Sequence, residues 1–386
     1  MRKYFEFYNP TKINCGKDAL RTIGAELDYF GANTPMVLAS TNATRMGALE
    51  KVLDALKGSK LSVGVAYNAM PNGLDLDLLR ALKAKYAEGR CDSIIAIGGE
   101  GVMDSAKALK LFLSENCDDF LPLAGVAKQT IREIPLIAVP TECGSGHEAS
   151  GFIEMEENFI SNPSIIPNVV VVDGEVAAIA PARVTAAGGI YALANAIEAY
   201  LGAEGISIIE VFAEKAVKLV FEHLEKIVRG EESDEDCVGL SLASVFGGIS
   251  YGNVPYGAAH ALAEALADTT KEPIEEMISA VLVATLKRLS DEKKEKLTGL
   301  LGCTCSAEKL AEIPRSEWAT RTISNIEELI ARLHDKAGVP ARLCDTKVQR
   351  EIFGSVADTA QGKRAALTEM RPIGQEEFLK ILSEAY

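Results

Sequence analysis

The run Ile94-Ile-Ala-Ile-Gly-Gly-Glu-Gly-Val-Met-Asp-Ser-Ala-Lys107 has the order strand, glycine-rich turn, helix. That order aims backbone N–H groups and a helix N-terminus at one point, an arrangement that grips a phosphate or another anion. Glycine also closes strands for purely conformational reasons, so the turn by itself is a weak signal. Glu100 sits inside it. A carboxylate about 5 Å from a phosphate costs roughly 3 kcal/mol at an effective dielectric near 20. Other chemistry-bearing residues are sparse. The chain has four histidines (His147, His223, His260 and His334), and the stretches around His223 and His334 are amphipathic, which predicts surface positions. Cys303 and Cys305 form a Cys-x-Cys, but no second pair stands beside it as a zinc site requires, so they read as ordinary thiols near a helix end.

The elements that must position these residues fall into two sets. Pro35–Ser40, Leu61–Tyr67, Ser93–Ile97, Ile134–Val139 and Asn168–Asp173 are short, β-branched and almost continuously apolar, the pattern of buried strands. Helical periodicity fills Gly47–Leu56, Leu74–Ala87 and Val102–Leu113 between them. Such alternation predicts a parallel sheet covered on both faces. From Pro181 onward the pattern is helical throughout, over 183–202, 206–228, 236–250, 257–267, 273–290, 307–311, 323–336 and 348–360. The acidic run Gly230–Asp236 reads as a solvated loop between helices. The division is therefore an α/β domain over 1–181 and an all-helical domain over 182–386.

Composition narrows the function classes. At 386 residues, with 48% hydrophobic and 25% charged residues, the chain has the make-up of a folded two-domain globular protein. Fifty-five acidic against forty basic residues give a net charge of −15, which repels phosphate backbones and anionic lipid. Nucleic-acid and membrane roles are not expected. The start lacks an apolar signal segment and the eight cysteines are scattered, so reduced thiols in a cytoplasm are the expectation.

Several blocks resemble the iron-dependent (group III) alcohol dehydrogenase family. Gly98–Lys107 is similar to its Gly-Gly-Gly-Ser-x-x-Asp-x-Ala-Lys motif, with Asp104, Ala106 and Lys107 matching. Ile134–Glu148 resembles Ile-Pro-x-x-x-(Val/Ile)-Pro-Thr-Thr-x-Gly-Thr-Gly-Ser-Glu, and Gly188–Tyr200 resembles the helix bearing two metal ligands. Met370–Leu379 is similar to the family's closing Asn-Pro-Arg-Pro-x-(Thr/Ser) helix start, so likeness runs from Asn9 to Tyr386. The resemblance implies an N-terminal dinucleotide-binding α/β domain and an all-α C-terminal domain, the dehydroquinate-synthase-like arrangement. It also implies a nicotinamide cofactor, NAD or NADP, held by Ser40, Gly98, Gly99, Gly101, Asp104, Lys107, Thr141, Gly144, Ser145 and Gly146. A small-molecule substrate and a homodimer or larger homo-oligomer are expected on the same ground.

Departures gather where ligands should sit. Besides Glu100, Glu142 replaces the second Thr of Pro-Thr-Thr, and Ser40 aligns with the family's ribose-binding Asp. Losing that Asp removes a bar to NADP without selecting it. No Lys or Arg occurs between Arg132 and Arg183, where relatives usually supply a cofactor-side lysine. Of the family's four metal ligands, the resemblance places Tyr191 and Asn195 at the first two, retains His260 as the third, and puts Ile274 at the fourth; Glu264 replaces a nearby histidine. One imidazole with an amide and a phenol is a poor cage for Fe²⁺ or Zn²⁺, so neither metal is expected at the family site. A proton donor must then take the Lewis acid's part. The resemblance brings Tyr191, His260, Glu264 and His147 towards one cleft between the domains as candidates. Two readings stay open: an NAD(P)-linked oxidoreductase interconverting a small alcohol and its aldehyde or ketone without the family's metal, and a catalytically silent or repurposed paralogue that binds a ligand or protein partner.

Overall fold

The computed structural model describes all residues except 1–3, 72–73, 120–132, 156–157, 178–179, 204, 255–256 and 364–372. Met370–Pro372, the opening of the closing family-like block, therefore lies outside the described residues. The chain forms two compact units, one of Tyr8–Ala180 and one of Pro181–Tyr386 together with Met1–Phe7.

The first unit is built on a six-stranded parallel sheet. Its strands are β1 (Lys12–Cys15), β2 (Pro35–Ser40), β3 (Val65–Met70), β4 (Ser93–Gly98), β5 (Leu136–Pro140) and β8 (Val169–Val172); β6 (Phe152–Met155) and β7 (Asn158–Ser161) form a separate antiparallel pair. The sheet order is β1-β8-β5-β4-β2-β3. In β2, β4, β5 and β8 every residue is buried, which is why these strands read as unbroken apolar runs. One sheet face packs Val37, Ala39, Ile95, Ile97, Ile137, Val139, Val169 and Val171 into a core with Leu20, Ile23, Leu27 and Val52. The edge strand β3 begins later than the expected Leu61–Tyr67 because its register with β2 starts at Met36↔Val65.

From β2 the chain goes outward to β3, returns to β4 on the other side of β2, and continues away through β5 to β8. The connections leaving β2 and β4 thus diverge. Ligands of open α/β sheets bind at such a switch point, outside the carboxyl ends of the strands.

The second unit is helical, with no strand among its described residues. Helix Ala182–Gly202 is buried almost all round from Thr185 to Leu201, as its near-uniform apolar sequence requires. It lies against helix Ser207–Arg229 closely enough that a Cβ on Gly189 would overlap Leu224. The expected acidic loop is shorter than 230–236: Ser233 caps helix Asp234–Tyr251 with a capping box to Asp236, placing three acids on a helix N-terminus. His223, expected at the surface, is only partly exposed. Its Nδ1 lies 2.8 Å from Asp236 Oδ1, and its ring packs on Gly239. Helix Lys294–Thr304 had no counterpart among the expected elements.

Candidate functional site

In the sheet unit, Gly98 ends β4 with φ +154°, a conformation side-chain-bearing residues rarely adopt, and Gly99 caps the helix Glu100–Glu115. A Cβ on Gly98 would stand 3.2 Å from Ser40 Oγ, so the ends of β2 and β4 meet at the switch point. Thr141 N donates to Gly98 O at 3.2 Å and ties the end of β5 to the same turn. Ser40 itself caps helix Thr41–Arg45, its Oγ accepting from Ala43 N at 2.9 Å. The backbone is thus arranged for an anion. A carboxylate already lies there: a Cβ built on Gly99 would overlap Glu142 Oε2, with the Glu142 carboxyl carbon 3.1 Å away.

Beneath the turn is a buried network of charges. Asp104 Oδ1 lies 2.6 Å from His147 Nδ1 and 2.9 Å from Lys107 Nζ, and Lys107 Nζ also donates to Phe152 O. All three charged side chains are buried, Lys107 completely. The His147 ring meets Phe152 edge-on with centroids 4.9 Å apart. Burial alone would lift the Asp104 carboxyl, but the His147 and Lys107 charges outweigh it and hold Asp104 below the usual carboxylate range. Burial likewise opposes a charged His147, yet Asp104 and then Glu100 overcome it and raise the imidazole above 6.5. Glu100, Asp104 and His147 each offer one atom within 4.8 Å of the others, a donor set wide enough for a divalent ion. Lys107 Nζ, 2.9 Å from Asp104 Oδ1, brings a positive charge to the edge of this set.

The helical unit holds a second polar centre. Tyr191, Asn195 and Glu198 follow one another at i, i+4 and i+7, so helix Ala182–Gly202 presents them as one stripe. Glu198 caps helix Ala258–Thr270, accepting from Gly257 N at 3.2 Å and Ala259 N at 2.7 Å, and also receives His260 Nδ1. A Cβ on Gly257 would collide with this carboxylate, which explains the glycine. His260 Nε2 is 2.7 Å from Asn195 Oδ1, and the Tyr191 ring lies 5.4 Å from the imidazole, centroid to centroid. With Nδ1–H given to Glu198, a neutral ring offers Asn195 a lone pair and a charged ring offers it a proton. The amide can answer either, by its NH₂ or its oxygen. A histidine oriented by a buried carboxylate, with a partner suited to both protonation states, is equipped to pass a proton.

Residues 10–174 match the model of the iron-containing alcohol dehydrogenases, and residues 185–386 match the C-terminal domain model of the Fe-containing alcohol dehydrogenase family. The chain belongs to the iron-containing alcohol dehydrogenase family. It is 24% identical to the NAD-dependent methanol dehydrogenase of Bacillus methanolicus over 98% of this chain and 99% of that one. It is 28% identical to the choline dehydrogenase of Bacillus subtilis over 69% and 68% of the two chains. A solved 1,3-propanediol oxidoreductase shares the fold with a TM-score of 0.90, at 22% identity and full coverage of both chains. The chain is thus an oxidoreductase of the alcohol dehydrogenase family, and its parallel-sheet and helical units form that family's fold.

As a site for the iron that gives the family its name, the helical centre does not fit. Tyr191 and Asn195 bring a phenol and an amide, the His260 imidazole points its Nε2 at Asn195, and the Glu198 carboxylate is taken up by His260 Nδ1 and the start of helix Ala258–Thr270. Tyr191, Asn195 and His260 are brought together. Glu264, one helical turn beyond His260, pairs with Lys363 at 3.9 Å. His147 belongs to the sheet unit, in the buried network with Asp104 and Lys107. Glu198 was not among the expected site residues, although its i+3 and i+7 spacing from Asn195 and Tyr191 was there to read.

Proposed function

We propose that this protein interconverts a small alcohol and its aldehyde or ketone with NAD or NADP, using a protein acid instead of the family's metal. The observation that carries this reading is the Glu198–His260–Asn195 chain with Tyr191 beside it, a proton-handling centre in place of a ligand set. The name of the NAD-dependent methanol dehydrogenase relative and the backbone of the Gly98–Gly99 turn support the nicotinamide nucleotide. The bound nicotinamide would supply or accept the hydride. The turn N–H groups at Gly99 and the following helix start would hold its phosphates, with Ser40 beside the adenosine ribose. Glu198 fixes the orientation of the His260 ring. Tyr191 and His260 would deliver a proton to the nascent alkoxide, or take one from the alcohol.

Glu142 favours a second reading, the catalytically silent paralogue, because its carboxylate lies where a phosphate would dock. Thermal unfolding with NADH and NADPH separates the two. A nucleotide at a hundred times its Kd adds about 2.7 kcal/mol of stability, and no shift with either would sink the dehydrogenase reading. Tyr191→Phe and His260→Ala, assayed against small aldehydes, are expected to lose turnover with nucleotide affinity retained.

A further inference from the structure

Glu100 and His147 each break the family pattern, which has glycine at the first position and serine at the second. They are 47 residues apart in sequence, yet their polar atoms lie within 4.8 Å. Glu100 begins the helix and is partly buried, with one carboxylate oxygen, Oε2, turned inward away from solvent. His147 is faced by Asp104, Lys107 and Glu100 from that helix and by the Phe152 ring from β6; Glu142, Ser145 and Glu148 lie near it in its own segment. Burial opposes a charge on the imidazole, and after Asp104 the nearby Glu100 carboxylate is one of the influences that raise its pKa.

We propose that Glu100 and His147 are a matched pair, in which the imidazolium holds the Glu100 carboxylate on the buried side of the phosphate turn and keeps it away from a bound nucleotide's phosphates. His147 is then a positioning residue for the nucleotide site, an inference that rests on the nicotinamide reading given above. A carboxylate at the start of this helix is tolerable only while it is turned inward. When the ring loses its proton, Glu100 swings towards the ligand side and repels the diphosphate.

With only four histidines, the ring Cε1–H signals of labelled protein can be followed individually by NMR, and His147→Gln assigns the one in question. The wild-type His147 signal is expected to titrate above the free-histidine range and to move down in Glu100→Gly. NADH or NADPH affinity, measured by fluorescence on either side of that titration, is expected to weaken roughly tenfold on deprotonation. That factor is the Coulomb difference between a carboxylate about 8 Å and about 5 Å from a phosphate at an effective dielectric near 20. In Glu100→Gly, and in Glu100→Gly with His147→Ser, affinity is expected to be flat with pH. An unchanged His147 titration in Glu100→Gly, with nucleotide still bound, overturns the pairing. Stabilisation of the nucleotide-free protein by Mn²⁺ or Zn²⁺ that disappears in His147→Gln overturns it too, because the residues then grip a metal. If no variant binds either nucleotide, the positioning role falls with the nicotinamide reading, while the titration still reports whether the two charges are coupled.

Discussion

Replacing Glu142 by threonine, the residue the family carries there, should tighten nucleotide binding. In the present chain the carboxyl carbon stands 3.1 Å from where a Gly99 Cβ would be, on the start of the helix Glu100–Glu115. A docking diphosphate has two routes. If Glu142 stays, a carboxylate about 5 Å from the phosphate costs roughly 3 kcal/mol at an effective dielectric near 20. If it swings out, the protein loses its interaction with the helix N-terminus, about 0.3–1 kcal/mol. The residue is only partly buried, so the second, cheaper route is open and sets the penalty. Glu142→Thr is therefore expected to lower the Kd for NADH or NADPH about fivefold, from roughly 1 kcal/mol at 1.36 kcal/mol per decade. Fluorescence titration at two salt concentrations reads this, and the gain should shrink with salt as the lost charge is screened. A gain of about two hundredfold would show that Glu142 is held in place. Unchanged or weaker binding would refute the assignment of this turn to a phosphate.

Four further changes test the packing and the electrostatics. Lys110 is buried, with Nζ 3.0 Å from Asn168 Oδ1 and 3.2 Å from Ile166 O, and desolvation, only partly offset by Glu133, pulls its pKa down to about 8. Its folded pKa lies below the unfolded value near 10.5, so charging it opposes folding fully below about pH 8, and stability should rise with pH up to about 10.5. Lys110→Met should flatten that slope in urea unfolding and stabilise the protein at neutral pH by up to about 3 kcal/mol, less what the two hydrogen bonds contributed. Gly189→Ala should cost about 1–3 kcal/mol by overpacking Leu224, whereas Gly354→Ala, with open space at its Cβ, should gain about 0.5–1 kcal/mol. Glu198→Gln should slow turnover and destabilise by about 1–3 kcal/mol, since it removes the charge that accepts Gly257 N, Ala259 N and His260 Nδ1.

What the sequence revealed and what it concealed have physical causes. β2, β4, β5 and β8 are buried along their whole length, so their apolar runs were legible without knowing their partners. β1 is four residues containing Lys12 and Asn14, partly exposed, and only its pairing with β8 makes it a strand. Helix Lys294–Thr304 has a weak apolar stripe and two glycines, and one of them, Gly299, is required because Tyr200 Oη leaves no room for a side chain. At the candidate site the residue types were visible, and so was the spacing within each helix. Contacts between distant segments were not. Nothing in the local pattern says that Glu100 faces His147, that Glu142 lies on Gly99, or that Glu198 caps the helix carrying His260.

In the proposed reaction a protein acid takes the place of the family's metal. The most direct measurement is NAD(P)H-dependent reduction of small aldehydes by enzyme stripped with a strong chelator, compared with the same enzyme after addition of Fe²⁺ or Zn²⁺ and with His260→Ala. Equal turnover is expected with and without metal, and loss of turnover in the variant. Activity that vanishes on chelation and returns with Fe²⁺ or Zn²⁺ would contradict it.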